Sequence, residues 1–180
     1  MKKIMLLALV TALFTQVLSA TELPKAPSGF AWQEIPDLKA AFLKPDGWFF
    51  KRESNKGTLA YFITKEDMNE TGHFDTGLTV NVFQLKEGSA VERGKAMIDQ
   101  MATQHHVMTS SQAAGSFQEF GCEVRDTNAS DTIVMHALTV ANTKSNTLYL
   151  FIFESPVATW DAAWKLGEQI MDSLAIDDDF

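Results

Sequence analysis

Hydrophobic and polar positions alternate in short runs along most of the chain, which predicts a protein rich in β-strands. Leu78, Val80 and Val82 alternate with their neighbours, a pattern typical of a strand with one buried face. The other predicted strands cover residues 30–35, 40–44, 48–52, 59–64, 107–111, 117–125, 132–141 and 147–154. Residues 149–153 are apolar at every position, which predicts a central strand covered on both sides.

Two segments have the spacing of helices instead. Ser89 and Glu92 form a capping-box pattern, and an apolar stripe follows it at helical spacing. That stripe consists of Ala90, Val91, Gly94, Met97, Ile98 and Met101. We expect it to pack on a sheet, although a methionine-rich stripe also suits a partner-binding face. A second helix is predicted to begin near Ser155-Pro156, since proline suits a first helical turn.

The order of strands, helix, strands and helix, with connections of hairpin length, predicts an α+β domain with a largely antiparallel sheet flanked by helices. The interior contains no linker rich in Pro, Gly or Ser. Residues 21–29 are predicted to form an N-terminal arm, and residues 30–180 a single domain.

The first twenty residues have the features of a cleavable secretory signal. Lys2 and Lys3 precede an apolar run over residues 4–14, and Leu18-Ser19-Ala20 supplies small residues at the end. The run is too short for a spanning helix, which needs about 20 apolar residues. We therefore expect cleavage after Ala20, a periplasmic or secreted protein, and no stable membrane insertion afterwards.

Charge and cysteine content exclude several classes of function. Loss of the leader would leave 15 − 2 = 13 basic and 23 acidic residues, a net charge of −10, which disfavours nucleic-acid partners. The single cysteine, Cys122, cannot form an internal disulfide. On a strand it shares a face with Phe120 and Val124, which indicates a buried small side chain rather than a nucleophile.

No strong catalytic or cofactor motif is present, so we predict no catalytic residues, no cofactor and no enzymatic activity. The nucleophile elbow, the phosphate loop, the dinucleotide turn, HExxH and CxxC are all missing from the sequence. His136 falls on the apolar face of its strand, which is typical of a core histidine. His105 and His106 are adjacent at a helix end and make a poor chelate.

The loop around His73 contains the one cluster with metal-ligand residue types, namely Glu70, His73 and Asp75. A solvated polar loop explains the same residues, and the sequence alone does not decide between them. The acidic C-terminus (Asp172, Asp177, Asp178 and Asp179) is interpreted as a solvated end rather than a Ca²⁺ site, because it lacks EF-hand spacing.

Three segments resemble PsbP-like domains. Residues 42–48, FLKPDGW, resemble a strand followed by Pro-x-Gly-Trp; residues 76–82, TGLTVNV, resemble the central strand; and residues 160–174 resemble the closing helix. The resemblance covers most of residues 30–175 and implies the Mog1/PsbP-like fold, an antiparallel sheet sandwiched by helices.

The resemblance implies little about function, because this family includes lumenal accessory subunits of the photosynthetic oxygen-evolving complex, a nuclear Ran-binding factor and exported bacterial proteins. The leader favours the exported bacterial group. We therefore expect a non-catalytic accessory or binding protein of the bacterial envelope that assists a protein complex. The alternative is a periplasmic binder of a small molecule or metal ion.

Overall fold

In the part of the chain that the computed structural model describes, ten strands form two antiparallel sheets, accompanied by three α-helices. The structure describes residues 23–55, 58–104, 109–125, 133–177 and Asp179. The predicted leader, His105, His106 and Asp178 lie outside these residues. No helix in the described ranges combines the length and the apolar character needed to cross a membrane.

The strands and helices follow one another in an order close to the predicted one. The strands are β1 (Phe30–Ile35), β2 (Ala40–Pro45), β3 (Phe49–Asn55), β4 (Thr58–Thr64), β5 (Gly77–Gln84), β6 (Thr109–Ala114), β7 (Phe117–Arg125), β8 (Ile133–Asn142), β9 (Thr147–Pro156) and β10 (Ala175–Ile176). The helices are α1 (Met68–Thr71), α2 (Ala90–Gln104) and α3 (Trp160–Asp172).

The large sheet has the order β3-β4-β5-β9-β8-β7-β6, and the small one has the order β1-β2-β10. β9 is the middle strand of the large sheet. Its side chains at Leu148, Tyr149, Phe151 and Phe153 are at most 1% exposed. The prediction that this apolar segment forms a central strand is therefore confirmed, as is the α+β class. On the second face of β9, Leu148 and Leu150 are buried, but Ile152 is half-exposed.

Two local predictions are wrong. The chain does not turn into a helix at Ser155-Pro156, because β9 continues through Pro156, which pairs with Ile133. Residues predicted as a loop form the single turn α1. At the acidic C-terminus, Asp172 and Asp179 are exposed, and Asp177 forms an ion pair with Lys39 at 3.6 Å.

Candidate functional site: the open sheet face

The two faces of the large sheet are covered differently. On one face, α3 and the small sheet bury the main core, which includes Tyr61, Val80 and Phe151 from three adjacent strands. On the other face, α2 lies over β7, β8 and β9. On β4 and β5, the residues Ala60, Phe62, Thr79, Asn81 and Phe83 of that second face remain half-exposed.

We call this half-covered region the open sheet face. It is formed by side chains that point away from the main core on adjacent strands and on the loop before β5. They are Phe49, Phe62, Phe74, Thr79, Asn81, Met135, Ile152 and Glu154. Phe49 at its edge is 42% exposed, one of the few large apolar side chains with that much solvent contact among the described residues.

The loop between β4 and β5 folds over one side of this face. Asp67 caps α1 by accepting the Asn69 N–H at 2.9 Å. The Glu66 carboxylate accepts two further N–H groups, from Asp75 and Thr76, at 3.2 Å each. These bonds fix the loop.

The fixed loop places the ring of Phe74 edge-on to Phe62, with centroids 6.3 Å apart. The loop therefore forms one wall of the open sheet face.

Helix α2 borders the opposite side. Asn146, in the turn between β8 and β9, accepts the Ala90 N–H at 2.9 Å and donates to Leu85 and Gly88 carbonyls. Further along α2, the Arg93 guanidinium lies 5.1 Å from the centroid of the Phe83 ring. The start of the helix is thus tied to the same hairpin that contributes the floor of the face.

The stripe predicted on α2 packs against the sheet as expected. Ala90 and Ile98 are at most 2% exposed, and Met97 and Met101 are half-buried. Gly94 lies so close to the sheet that an added Cβ would be 3.0 Å from Leu148 Cδ1. The packing face of α2 is therefore occupied within the protein.

Glu154 is the charged residue among the side chains that define the open sheet face. It lies between Gly77 on β5 and Met135 on β8 in the strand register. Burial among these groups raises the pKa of the Glu154 carboxyl above its ordinary value. Among the described residues, no ion pair or hydrogen bond to its side chain is found.

In the loop with the predicted metal-ligand residue types, the His73 ring and the Asp75 backbone contact groups of the loop itself. His73 is exposed, and its Nδ1 lies 2.9 Å from the Thr71 carbonyl oxygen. Asp75 is exposed beside it, and its backbone N–H bonds to Glu66. Within the described part of the chain, no three His, Cys, Asp or Glu side chains are arranged to hold a metal ion.

Cys122 and His136 lie on opposite faces of the large sheet. Cys122 is 2% exposed under α2, and burial raises the pKa of its thiol. The His136 ring lies 4.4 Å from that of Trp164 in α3. Burial lowers the pKa of His136, and the nearby Glu123 carboxylate partly opposes this shift. The two side chains therefore form no common site.

The open sheet face was not identified from the sequence. Glu154 follows a long apolar run. It lies on the same face of β9 as Leu150 and Ile152, because alternate residues of a strand share a face, and this indicates that it faces the side that α2 covers. Its neighbours Gly77 and Met135 come from distant parts of the chain. Their proximity follows only from the strand register.

Comparison with known proteins identifies the fold through structure alone. No protein-family model and no curated protein sequence matches the chain. Among solved structures, cyanobacterial PsbP (CyanoP) from Synechocystis sp. PCC 6803 is similar, with a TM-score of 0.53 and 14% identity. The similarity covers 87% of this chain and 97% of that one.

Two further structures have the same fold. The Saccharomyces cerevisiae Ran-binding protein Mog1p is similar at a TM-score of 0.51 and 10% identity, over 83% of this chain and 96% of Mog1p. LpqN, a Mycobacterium tuberculosis protein involved in cell envelope biogenesis, is similar at a TM-score of 0.51 and 10% identity, over 77% and 83%. The chain thus has the Mog1/PsbP fold, as the resemblance of its segments implied.

Proposed function

We propose that this chain is an exported, non-catalytic accessory protein of the bacterial envelope that binds a partner protein through the open sheet face. The observation that carries the proposal is the set of half-exposed apolar side chains on that face, namely Phe62, Phe74, Ile152 and Met135, beside the exposed Phe49. Contiguous apolar surface with a polar rim is typical of protein interaction sites.

The construction of the face suits binding better than chemistry. Its floor consists of regular antiparallel strands, and its walls are a hydrogen-bonded loop and a helix tied down by Asn146. A rigid surface of this kind costs little ordering entropy when a partner docks. Cys122 and His136, the side chains best suited to nucleophile and base, lie on opposite sides of the sheet.

The compartment and the structural neighbours support the same proposal. The leader pattern of residues 1–20 indicates export. LpqN has this fold and is involved in cell envelope biogenesis, and Mog1p has it and binds Ran. The same scaffold therefore serves in a protein that binds a partner and in one that acts in the envelope, and fold alone does not assign a function.

Site-specific photocrosslinking in the producing bacterium tests the proposal. A photoreactive amino acid replaces Thr79 in the floor of the open sheet face, and in a matched strain it replaces Glu168, an exposed residue of α3. The proposal predicts one discrete adduct with an envelope protein from position 79 and none from position 168. A second substitution, Ile152→Thr, keeps a strand-forming residue and should remove the adduct.

Equal crosslinking from both positions, or an adduct at position 79 that survives Ile152→Thr, would overturn the proposal. The alternative of metal-ion binding through His73 remains a separate hypothesis. Titration calorimetry with Zn²⁺ on the wild type and on His73→Ala tests it, since binding that depends on His73 would produce heat in the first protein only.

A further inference from the structure

We infer that the partner segment carries a Lys or Arg side chain flanked by apolar residues, and that its charged end pairs with Glu154. This inference rests on the proposed function and names the chemistry of the partner. It follows from charge complementarity at one position of the open sheet face.

The surroundings of Glu154 are apolar within the sheet. Gly77 adds no side chain on one flank, and the methyl group of Thr64 occupies the space there, 2.8 Å from where a Cβ on Gly77 would lie. Met135 lies on the other flank, and Ile152 precedes Glu154 on the same face of β9. A carboxylate in such a place favours a cation over water, because partial burial weakens its hydration.

The basic side chains mapped on the same face are engaged elsewhere. Lys51 forms an ion pair with Glu53 along β3 at 2.9 Å, and β3 is separated from β9 by two strands. Arg93 lies over the Phe83 ring, near the opposite end of β9. Among the residues that the structure describes, these basic side chains do not pair with Glu154, and we expect its counter-ion to come from the partner.

Lysine and arginine fit this position because their aliphatic stems lie along apolar surface while the charge remains at the tip. With the tip at Glu154, the stem would cover Ile152 or Met135, and apolar neighbours in the partner would contact Phe62 and Phe74. The same segment would thus pair with the Glu154 carboxylate and cover the exposed apolar side chains around it.

A displayed library of random twelve-residue peptides, selected on protein expressed from the full 180-residue sequence, tests this inference. The wild type should enrich peptides that combine Lys or Arg with apolar residues. Selection on Glu154→Gln should lose the preference for the basic residue and keep the preference for apolar ones. Glu53→Gln is the matched control, since its carboxylate lies on the same sheet face but is already paired with Lys51.

A synthesised peptide from the wild-type selection then allows a double-mutant cycle. Replacing its basic residue with methionine should weaken binding to the wild type about tenfold, as expected for one partly desolvated charge pair. The same replacement should have little effect on binding to Glu154→Gln.

The outcomes separate the two proposals. Enrichment of apolar peptides without a basic preference, or a tenfold effect that persists in Glu154→Gln, would overturn the charge pairing and leave the open sheet face as a binding site. Peptides whose binding is unaffected by Ile152→Thr and by Phe62→Ser would overturn both.

Discussion

Gly167 of α3 lies directly against the ring of Phe153 on β9, so that a Cβ atom at this position would be 2.7 Å from two ring carbons. The glycine is what allows the helix to approach the central strand this closely. Phe153 is itself fully buried between Trp160 and Trp164, with ring centroids 5.9 and 5.6 Å away. The ring therefore has little room to move.

Gly167→Ala is expected to destabilise the protein by about 1–2 kcal/mol. Overpacking costs about 1–3 kcal/mol, and the better helix propensity of alanine recovers up to about 1 kcal/mol of it. Urea denaturation measures the difference. Glu168→Ala, at the adjacent exposed position, is the control and should change stability by less than about 0.5 kcal/mol. A Gly167→Ala protein as stable as the wild type would show that α3 can shift away from β9.

Asn146 links the β8–β9 turn to the start of α2 through three hydrogen bonds, and its backbone has a φ of 56°. Asn146→Gly keeps the backbone conformation and loses the bonds, so it should cost about 1–2 kcal/mol. Asn146→Ala adds left-handed strain and should cost about 1 kcal/mol more. Urea denaturation of both variants measures which one loses more stability. Equal losses of unfolding free energy would show that the left-handed backbone conformation at this position has no effect.

The strands and α2 could be predicted because their signals are local. Period-2 alternation and the Ser89 cap lie within short windows, and in the structure the Glu92 N–H does lie within bonding distance of Ser89 Oγ, at 3.4 Å. The start of α3 was misplaced because pairing with Ile133 keeps Pro156 in β9. Proline at a strand end and proline in a first helical turn have the same local signature.

The open sheet face could not be predicted from the sequence because it depends on the strand register and on which strands α2 covers. Phe62 and Ile152 look like ordinary core residues in their strands, and only the position of α2 over β7–β9 leaves them half-exposed. Glu154 acquires its environment from Gly77 and Met135, which are 77 and 19 residues away along the chain. Such long-range contacts have no periodicity to detect.

Tyr149 places a hydroxyl group in the core without a hydrogen-bond partner in the described structure. Burial, together with the charge of Asp177, raises the pKa of this phenol well above its ordinary value. Tyr149→Phe removes the unpaired polar atom and keeps the ring, so it should be neutral or stabilising by up to about 1 kcal/mol. Tyr149→Ala is the contrasting variant and should cost about 3–5 kcal/mol through the cavity it leaves. A clear loss of stability in Tyr149→Phe would contradict the unpaired state.

His136 should make stability depend on pH below its ordinary pKa of 6.5. Its pKa is lowered in the folded state, mainly by burial beside Trp164 and its cross-strand partner Phe153 and despite Glu123, so the unfolded chain takes up the proton first. Its contribution to stability is full above about pH 6.5 and is lost as the pH falls toward the folded-state pKa.

The comparison of wild type with His136→Phe isolates this effect. Phenylalanine retains an aromatic ring beside Trp164 and does not titrate. The difference in unfolding free energy between the two proteins should therefore be constant above about pH 6.5 and should shift in favour of the variant below it. A difference that is independent of pH would show that His136 ionises as easily in the folded protein as in the unfolded one.

The contribution of Glu154 to the free energy of unfolding should fall as the pH rises. Because burial raises its folded-state pKa above the ordinary value of 4.5, the folded protein binds the proton more tightly than the unfolded chain does. The stabilisation is present at low pH and is lost as the pH rises from about 4.5 through the folded-state pKa. Glu154→Gln should therefore be more stable than the wild type by about 0.5–1 kcal/mol at about pH 7, and this gain should disappear near pH 4.

Urea denaturation of both proteins at the two pH values measures this difference, with Glu53→Gln as the control on the same face. Glu53 is 49% exposed and paired with Lys51, so its replacement should change stability by less than about 0.5 kcal/mol at either pH. A Glu154→Gln protein that is less stable than the wild type at about pH 7 would mean that the carboxylate already has a favourable partner within the chain. If Glu154→Gln is more stable than the wild type and binds the peptide more weakly, the Glu154 charge serves recognition and lowers the stability of the folded protein.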